Sequence, residues 1–330
     1  TCALPISATA AAGTLASLLA GWRAALSGEA APVDAPDAPR WAPGVAALAL
    51  LAALAGGVAA AGAILDGVSA GRGAAVIAHR AGAGAAPENS LAAVERAISE
   101  GADWLEVDVQ ETADGAVVVV HDADFMKLAG ERLKVADATL AEIAAIDIGA
   151  RMGAEFAGET TPTLAALLEA TSGRARVLIE LKHYGRAVRL EERVAEIVET
   201  AGMADAVAVM SLDHRSAARM KALRPNWRVG VLAATALGDL TRIEADFLAV
   251  RAALVTPGLL RRAAARGKPV YAWTVDTPAE MSRLVSLGVS GLITDWPGRA
   301  RAALDARAEL SGTERLALVA ADLLGVRPEP

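Results

Sequence analysis

An α/β barrel of eight strands and surrounding helices is the architecture this sequence predicts for residues 73–304, and three observations predict it. From about Gly73 onward, short apolar runs alternate with stretches of helical periodicity, the pattern of a sheet covered by helices. Eight such runs fit into about 230 residues, a usual size for a (β/α)8 fold. Six of the runs carry polar residues at or near their carboxyl ends, where this fold gathers its functional groups.

The first strand, 75–79, ends on His79-Arg80. The stretch Pro87-Glu88-Asn89-Ser90 then starts a helix over 90–100, with Asn89 or Ser90 as its cap. The second strand, 104–109, carries Glu106 and Asp108, and the third, 117–121, ends at His121-Asp122. Only a short segment joins these two, and its Asp114-Gly115 pair favours a two-residue hairpin turn. A turn centred there sets Asp108 opposite His121 and makes one strand pair antiparallel. A helix over 163–170 leads to the fourth strand, 176–181, which closes on Glu180 and is followed by Lys182. Helices at 187–201, 215–223, 257–266 and 277–287 separate most of the remaining strands, at 206–211, 227–232, 269–275 and 291–295. The run at 246–250 is a ninth candidate, assigned to a loop or a sheet edge. A doubly wound open sheet competes with the barrel, but no Gly-rich dinucleotide fingerprint follows the first strand.

Residues 1–72 read differently. The stretch 42–65 contains no charge and is long enough to span a bilayer core of roughly 30 Å as a helix. A transmembrane helix is expected there, with a weaker apolar stretch at 3–22 as a partial span, so a membrane is an expected partner. The alternative is an Ala/Gly-rich buried or linker helix, because alanine adds little insertion energy. The chain opens on Thr1, which implies processing or a longer parent. Residues 305–330 read as a peripheral helical tail.

The net charge of −7 argues against a nucleic-acid partner, since phosphate backbones select basic faces. Cys2 is the only cysteine, which excludes an intrachain disulfide and a Cys-rich metal site.

Glu106 and Asp108 lie two apart in a strand, so their side chains share a face. If Glu180 points inward with them, the three carboxylates repel one another by several kcal/mol per pair, at about 4 Å and an effective dielectric near 20. A cation or protons must compensate. Three oxygen donors without cysteine suit a hard divalent ion such as Mg²⁺ or Ca²⁺; ion pairing of Glu106 and Glu180 with Arg80 and Lys182 is the alternative. A phosphate diester would engage the metal, Arg80 and Lys182 together. His79 and His121 then divide the work of general base and general acid. His183 is expected in a loop or behind the site, His214 exposed, and Arg261-Arg262 on a solvated helix face.

With His79-Arg80, Pro87-Glu88-Asn89-Ser90, Glu106-x-Asp108, Thr112-x-Asp114-Gly115, His121-Asp122, Glu180-Leu181-Lys182, Trp273-Thr274-Val275 and Thr294-Asp295, residues 73–304 resemble the glycerophosphodiester phosphodiesterase family. The resemblance implies a TIM barrel of the phospholipase-C-like phosphodiesterase type, hydrolysing small glycerophosphodiesters to sn-glycerol 3-phosphate and an alcohol. It implies metal ligation by Glu106, Asp108 and Glu180, acid–base roles for His79 and His121, and phosphate contacts from Arg80 and Lys182. Glu88 and Asn89 are implied to support substrate binding, and Trp273 to line its pocket. The stretch 146–164 resembles bacterial members with an N-terminal multi-spanning membrane domain, which implies a location at the bacterial cell membrane. Alternatives are a related phosphodiesterase acting on lysophospholipids or phosphoinositides, and a non-catalytic membrane-tethered scaffold that captures phosphodiesters. One departure is visible: the family usually has glycine after the His-Arg pair, where this chain has Ala81 before Gly82. An alanine forced to positive φ would be strained by about 1 kcal/mol or more, so a shifted loop is expected.

Overall fold

The computed structural model describes residues 73–184, 188–235, 238–311, 314–315 and 317–318. The spans expected at 42–65 and 3–22, and with them the implied membrane domain, lie outside the described residues. Among the described residues no helix is long and apolar enough to cross a membrane.

Strand β1 (Ala75–Ala78) leads to α1 (Leu91–Ser99), β2 (Trp104–Glu111) and β3 (Val117–Val119). An excursion follows, with a small hairpin of β4 (Asp124–Phe125) and β5 (Glu131–Lys134), then α2 (Leu140–Ala144) and α3 (Leu164–Thr171). The remaining order is β6 (Arg176–Leu181), α4 (Leu190–Thr200), β7 (Val207–Ser211), α5 (His214–Leu223), β8 (Arg228–Ala233), β9 (Phe247–Arg251), α6 (Pro257–Ala264), β10 (Val270–Trp273), α7 (Pro278–Leu287), β11 (Gly291–Thr294) and α8 (Pro297–Glu309). Strands β1, β2 and β6–β11 pair in parallel, and the β1–β2 pairing closes them into an eight-stranded barrel. The six expected helices are present within a few residues of their expected bounds. Their starts follow local chemistry: Ser90, Thr163, Thr256 and Thr277 each accept a hydrogen bond from a backbone N–H in the first turn.

Two strand assignments change. The run expected in a loop or edge is β9, a barrel strand between β8 and β10. It lacked the helix that normally announces a new parallel strand: among the described residues between it and β8 there is only a 3-10 turn over Leu240–Arg242. Conversely β3, counted among the eight, stands outside the barrel as an antiparallel strand on β2. Strand β6 holds one edge of β2, so β1 and β3 share the other: β1 meets Trp104 and Leu105, β3 meets Val109 to Glu111.

The hairpin turn also differs. Val109 pairs with Val119 and Glu111 with Val117, and Thr112 N donates to Ala116 O at 2.9 Å, so the loop is the three residues 113–115 rather than two, with Gly115 at φ +85°. The register moves by one, and Asp108 faces Val120, whose N–H donates to the Asp108 carbonyl at 2.9 Å. The Thr112 hydroxyl drives this choice by accepting from Ala116 N at 2.8 Å and donating to Asp114 at 2.6 Å.

Apolar side chains fill the barrel interior, including Ile77, Trp104, Leu178, Met210, Leu232, Phe247 and Ile293. Other apolar faces pack the sheet against its helices. A separate cluster of Val118, Val120, Phe125, Val135, Ile143 and Ile148 lies under the excursion. The tail boundary placed after residue 304 falls inside α8, which Arg301 ties to the barrel through Gly101 O and Asp103.

Candidate active site

Three carboxylates meet at the carboxyl end of the barrel because β2 and β6 are in register. Asp108 pairs with Glu180 across the two strands, and Glu106 precedes Asp108 by two residues on the same face. All three are buried, and one oxygen from each lies within 4.8 Å of the others. Burial pushes Glu106 up to about 8, with the Asp108 charge adding to it. Burial and the same neighbour push Glu180 up to about 7. For Asp108 burial is outweighed by Lys182, His121, the Asn89 hydrogen bond and Arg80, and its pKa is lowered. Glu106 Oε2 accepts from Arg80 N at 2.8 Å, while its buried Oε1 has no hydrogen-bond partner among the described residues. A buried all-oxygen cluster with an orphan acceptor and two carboxylates resisting ionisation fits a hard divalent cation.

His79 follows β1 and His121 follows β3. Each is held at Nδ1 by a carboxylate, His79 by Asp295 at 2.7 Å and His121 by Asp122 at 2.6 Å. An Nδ1–H donated to carboxylate leaves Nε2 as the atom that takes or gives a proton. Burial opposes charge on His79, but the Asp295 hydrogen bond and the Glu106 and Asp295 charges prevail, and its pKa is raised. Burial lowers that of His121, with Lys182 and Arg80 assisting against Asp108.

A cleft of about 140 Å³ joins these groups. His79, Arg80, Glu106, His121, Glu180 and Lys182 line it, together with Trp273 and the apolar Met210, Leu212, Leu232 and Ile293. Lys182 Nζ stands 2.8 Å from Glu180 and 3.2 Å from Asp108. The indole Nε1 of Trp273 is buried without a hydrogen-bond partner among the described residues. Glu88 and Asn89, implied to support substrate binding, do not line the cleft. Glu88 accepts from Arg80 Nη1 at 2.9 Å. Asn89 donates to Asp108 Oδ2 at 2.9 Å and accepts from Asp108 N at 3.2 Å.

The segment from Arg80 to Gly82 is left-handed throughout, with Arg80 at φ +49° and Ala81 at +60°. Ala81 thus adopts the conformation that the family's glycine would find easy, at about 1–2 kcal/mol. Asn89, itself at φ +58°, holds the segment by donating its N–H to Arg80 O at 2.8 Å. Strained backbone of this kind persists where surrounding contacts over-determine it.

Three contributors had not been given site roles. Asp295 and Asp122 appeared only as strand-end neighbours, though each backs an imidazole. Gln110 is buried, and its Nε2 lies 3.0, 3.1 and 2.7 Å from the carbonyls of Val120, His121 and Asp122. It brings His121 to the cleft despite the shifted register. Its place two residues after Asp108, on the same strand face, was the available signal. His183 lies in the loop after β6, 3.0 Å from Ser216 and 3.3 Å from Glu191. His214, Arg261 and Arg262 are exposed.

The chain is similar to known proteins in sequence and in fold. The model of the glycerophosphoryl diester phosphodiesterase family matches residues 79–299. A glycerophosphodiester phosphodiesterase of Caldanaerobacter subterraneus is 34% identical over 229 residues, covering 67% of this chain and 94% of its own. One from Bacillus altitudinis is 30% identical over 234 residues, covering 68% and 96%. The structure of an Oleispira antarctica phosphodiesterase in complex with the product sn-glycerol-3-phosphate superposes with a TM-score of 0.67 at 26% identity, covering 70% of this chain and 96% of that one. The match begins at the first imidazole and ends beyond the last barrel strand, and on that extent the chain belongs to the glycerophosphoryl diester phosphodiesterase family.

Proposed function

We propose that the cleft hydrolyses glycerophosphodiesters to sn-glycerol 3-phosphate and an alcohol, with a divalent cation held by Glu106, Asp108 and Glu180. The observation that carries this reading is a buried carboxylate trio, two of whose members, Glu106 and Glu180, line one cleft together with two cationic side chains and two carboxylate-backed imidazoles. Mg²⁺ or Ca²⁺ suits the all-oxygen donor set. Bound there, such an ion supplies Lewis-acid polarisation of a phosphoryl oxygen.

The chain's own residues carry the remaining steps. Arg80 and Lys182 bind the phosphate oxygens and orient the diester. His121, whose pKa is lowered, is neutral at neutral pH and takes at Nε2 a proton from the oxygen that attacks phosphorus, either that of water or that of the neighbouring glycerol hydroxyl, in which case water then opens the cyclic phosphate that forms. His79, whose pKa is raised, is the imidazole that more readily carries a proton, and gives it from Nε2 to the departing alkoxide. Each transfer contributes typically 10²–10⁴-fold. Trp273 lines the pocket for the glycerol or leaving group. The uncharged stretch 42–65 supports attachment of the enzyme to a bacterial cell membrane.

The test uses the full chain with glycerophosphocholine and Mg²⁺ or Ca²⁺, assaying sn-glycerol 3-phosphate with and without chelator. Release that chelator abolishes and added metal restores is expected. Release indifferent to chelator would remove the metal from the proposal, and no release from any headgroup would overturn it.

A further inference from the structure

The Glu88 carboxylate is buried between two cations. Its Oε1 accepts from Arg80 Nη1 at 2.9 Å, and its Oε2 meets the ammonium of Lys127. Arg80 lines the cleft and Glu88 does not. The Nε of Arg80 is buried and makes no hydrogen bond among the described residues, with Asp108 Oδ2 4.0 Å away. One terminal nitrogen of the guanidinium is thus fastened at Glu88, and the Nε is turned toward Asp108. The part of the guanidinium that lines the cleft can pair with phosphate oxygens.

Lys127 reaches this carboxylate from the turn after β4. That turn is fixed by Phe125, which is fully buried and whose carbonyl accepts from Ala129 N at 2.8 Å and Gly130 N at 3.0 Å. The Lys127 side chain is 52% exposed, whereas that of Glu88 is 8% exposed. Glu88, Asp108 and Glu106 all act on the Arg80 charge. Without a second cation, Glu88 would draw on the charge that Arg80 offers to a phosphate.

We propose that Lys127 is a positioning residue for substrate binding, neutralising Glu88 so that this carboxylate anchors Arg80 by one nitrogen while the cleft-lining part of the guanidinium faces the phosphate. Lys127 does not line the cleft. The inference rests on the reading of the cleft as a phosphodiesterase site and concerns binding of the phosphate, not proton transfer.

The experiment compares the metal-loaded full chain with Lys127→Met, Lys127→Arg, Glu88→Gln and the Lys127→Met/Glu88→Gln double variant; Lys127→Gln replaces Lys127→Met should that variant not fold. It measures kcat and KM on glycerophosphocholine, and the dissociation constant of sn-glycerol 3-phosphate by calorimetry. Lys127→Met is expected to raise KM and that dissociation constant together by roughly three- to tenfold, as for loss of a partly screened ion pair. In the same variant kcat is expected to stay within about twofold of the wild type, as when ground-state and transition-state binding weaken equally. Lys127→Arg should restore both constants, and the double variant should bind no worse than Glu88→Gln alone, since the ammonium acts through that carboxylate. Unchanged KM and product binding, a fall in kcat at constant KM, or additive effects in the double variant would each overturn the proposal. A wild-type chain inactive on every diester would instead overturn the functional reading, while product binding would still report on Lys127.

Discussion

At the scale of the residue, the two imidazoles differ in what surrounds them. His79 is hydrogen-bonded to Asp295 and lies near the buried Glu106, which together overcome burial and raise its pKa above 6.5. His121 is half-buried, and desolvation, helped by the Lys182 and Arg80 charges, holds its pKa below 6.5. A base must be neutral and an acid protonated, so kcat/KM should follow a bell with its acid limb below pH 6.5 and its alkaline limb above it. The measurement is a pH profile at saturating metal. His121→Ala and His79→Ala should each lower kcat by about 10²–10⁴-fold and remove the acid and the alkaline limb respectively. Asp295→Asn should move the alkaline limb to lower pH, because the hydrogen bond that favours the charged imidazole is weakened; an unmoved limb would remove His79 from the role of acid. The histidines were legible in the sequence as strand-end residues. The role of Asp295 was not, since 216 positions separate it from His79 and only closure of the barrel brings them together.

At the scale of the element, β8 and β9 are fitted to each other. Gly230 on β8 pairs with Phe247 on β9, and a Cβ on Gly230 would stand only 2.1 Å from the Phe247 ring. Gly230→Ala is therefore expected to destabilise the barrel by about 1–3 kcal/mol, the usual range for overpacking, and Phe247→Leu in the same chain should recover part of the loss. Denaturant unfolding checks both; a neutral Gly230→Ala would mean that the ring has somewhere to move. The same pair explains why β9 was hard to read. A strand is announced in sequence by alternation and by the helix before it, and this one has neither, being buried at Phe247 to Val250 and preceded by a short turn. The β2–β3 turn was misread for a related reason: Asp114-Gly115 is a good two-residue turn, but the Thr112 side chain bonds within the loop favour three.

At the scale of the whole molecule, the buried carboxylates couple stability to pH and to metal. Glu106 and Glu180 titrate at about 8 and about 7 in the folded, metal-free chain, above the ordinary 4.5. The folded state then binds more protons than the unfolded one over that interval, so the stability they contribute is fully present below 4.5 and is lost as pH rises through about 7 and 8. The metal-free chain should melt at lower temperature at pH 8 than at pH 5, by roughly 2–4 °C for each kcal/mol lost. Mg²⁺ or Ca²⁺ should raise the melting temperature more at pH 8, because carboxylates must shed their protons to bind an ion. Glu106→Gln should flatten the pH dependence, and calorimetric melts with and without chelator decide it. By itself the sequence determined the barrel class, six helices, seven of the eight barrel strands and the carboxylate pair on one strand face, because strand and helix periodicities are local and a strand's side-chain direction follows from counting by two. Only the tertiary structure decided that β9 completes the ring, that β3 leaves it, and that Asp295, Gln110 and Lys127 serve groups far from them in the chain. Those outcomes depend on which strands become neighbours when the barrel closes, and no local pattern records that.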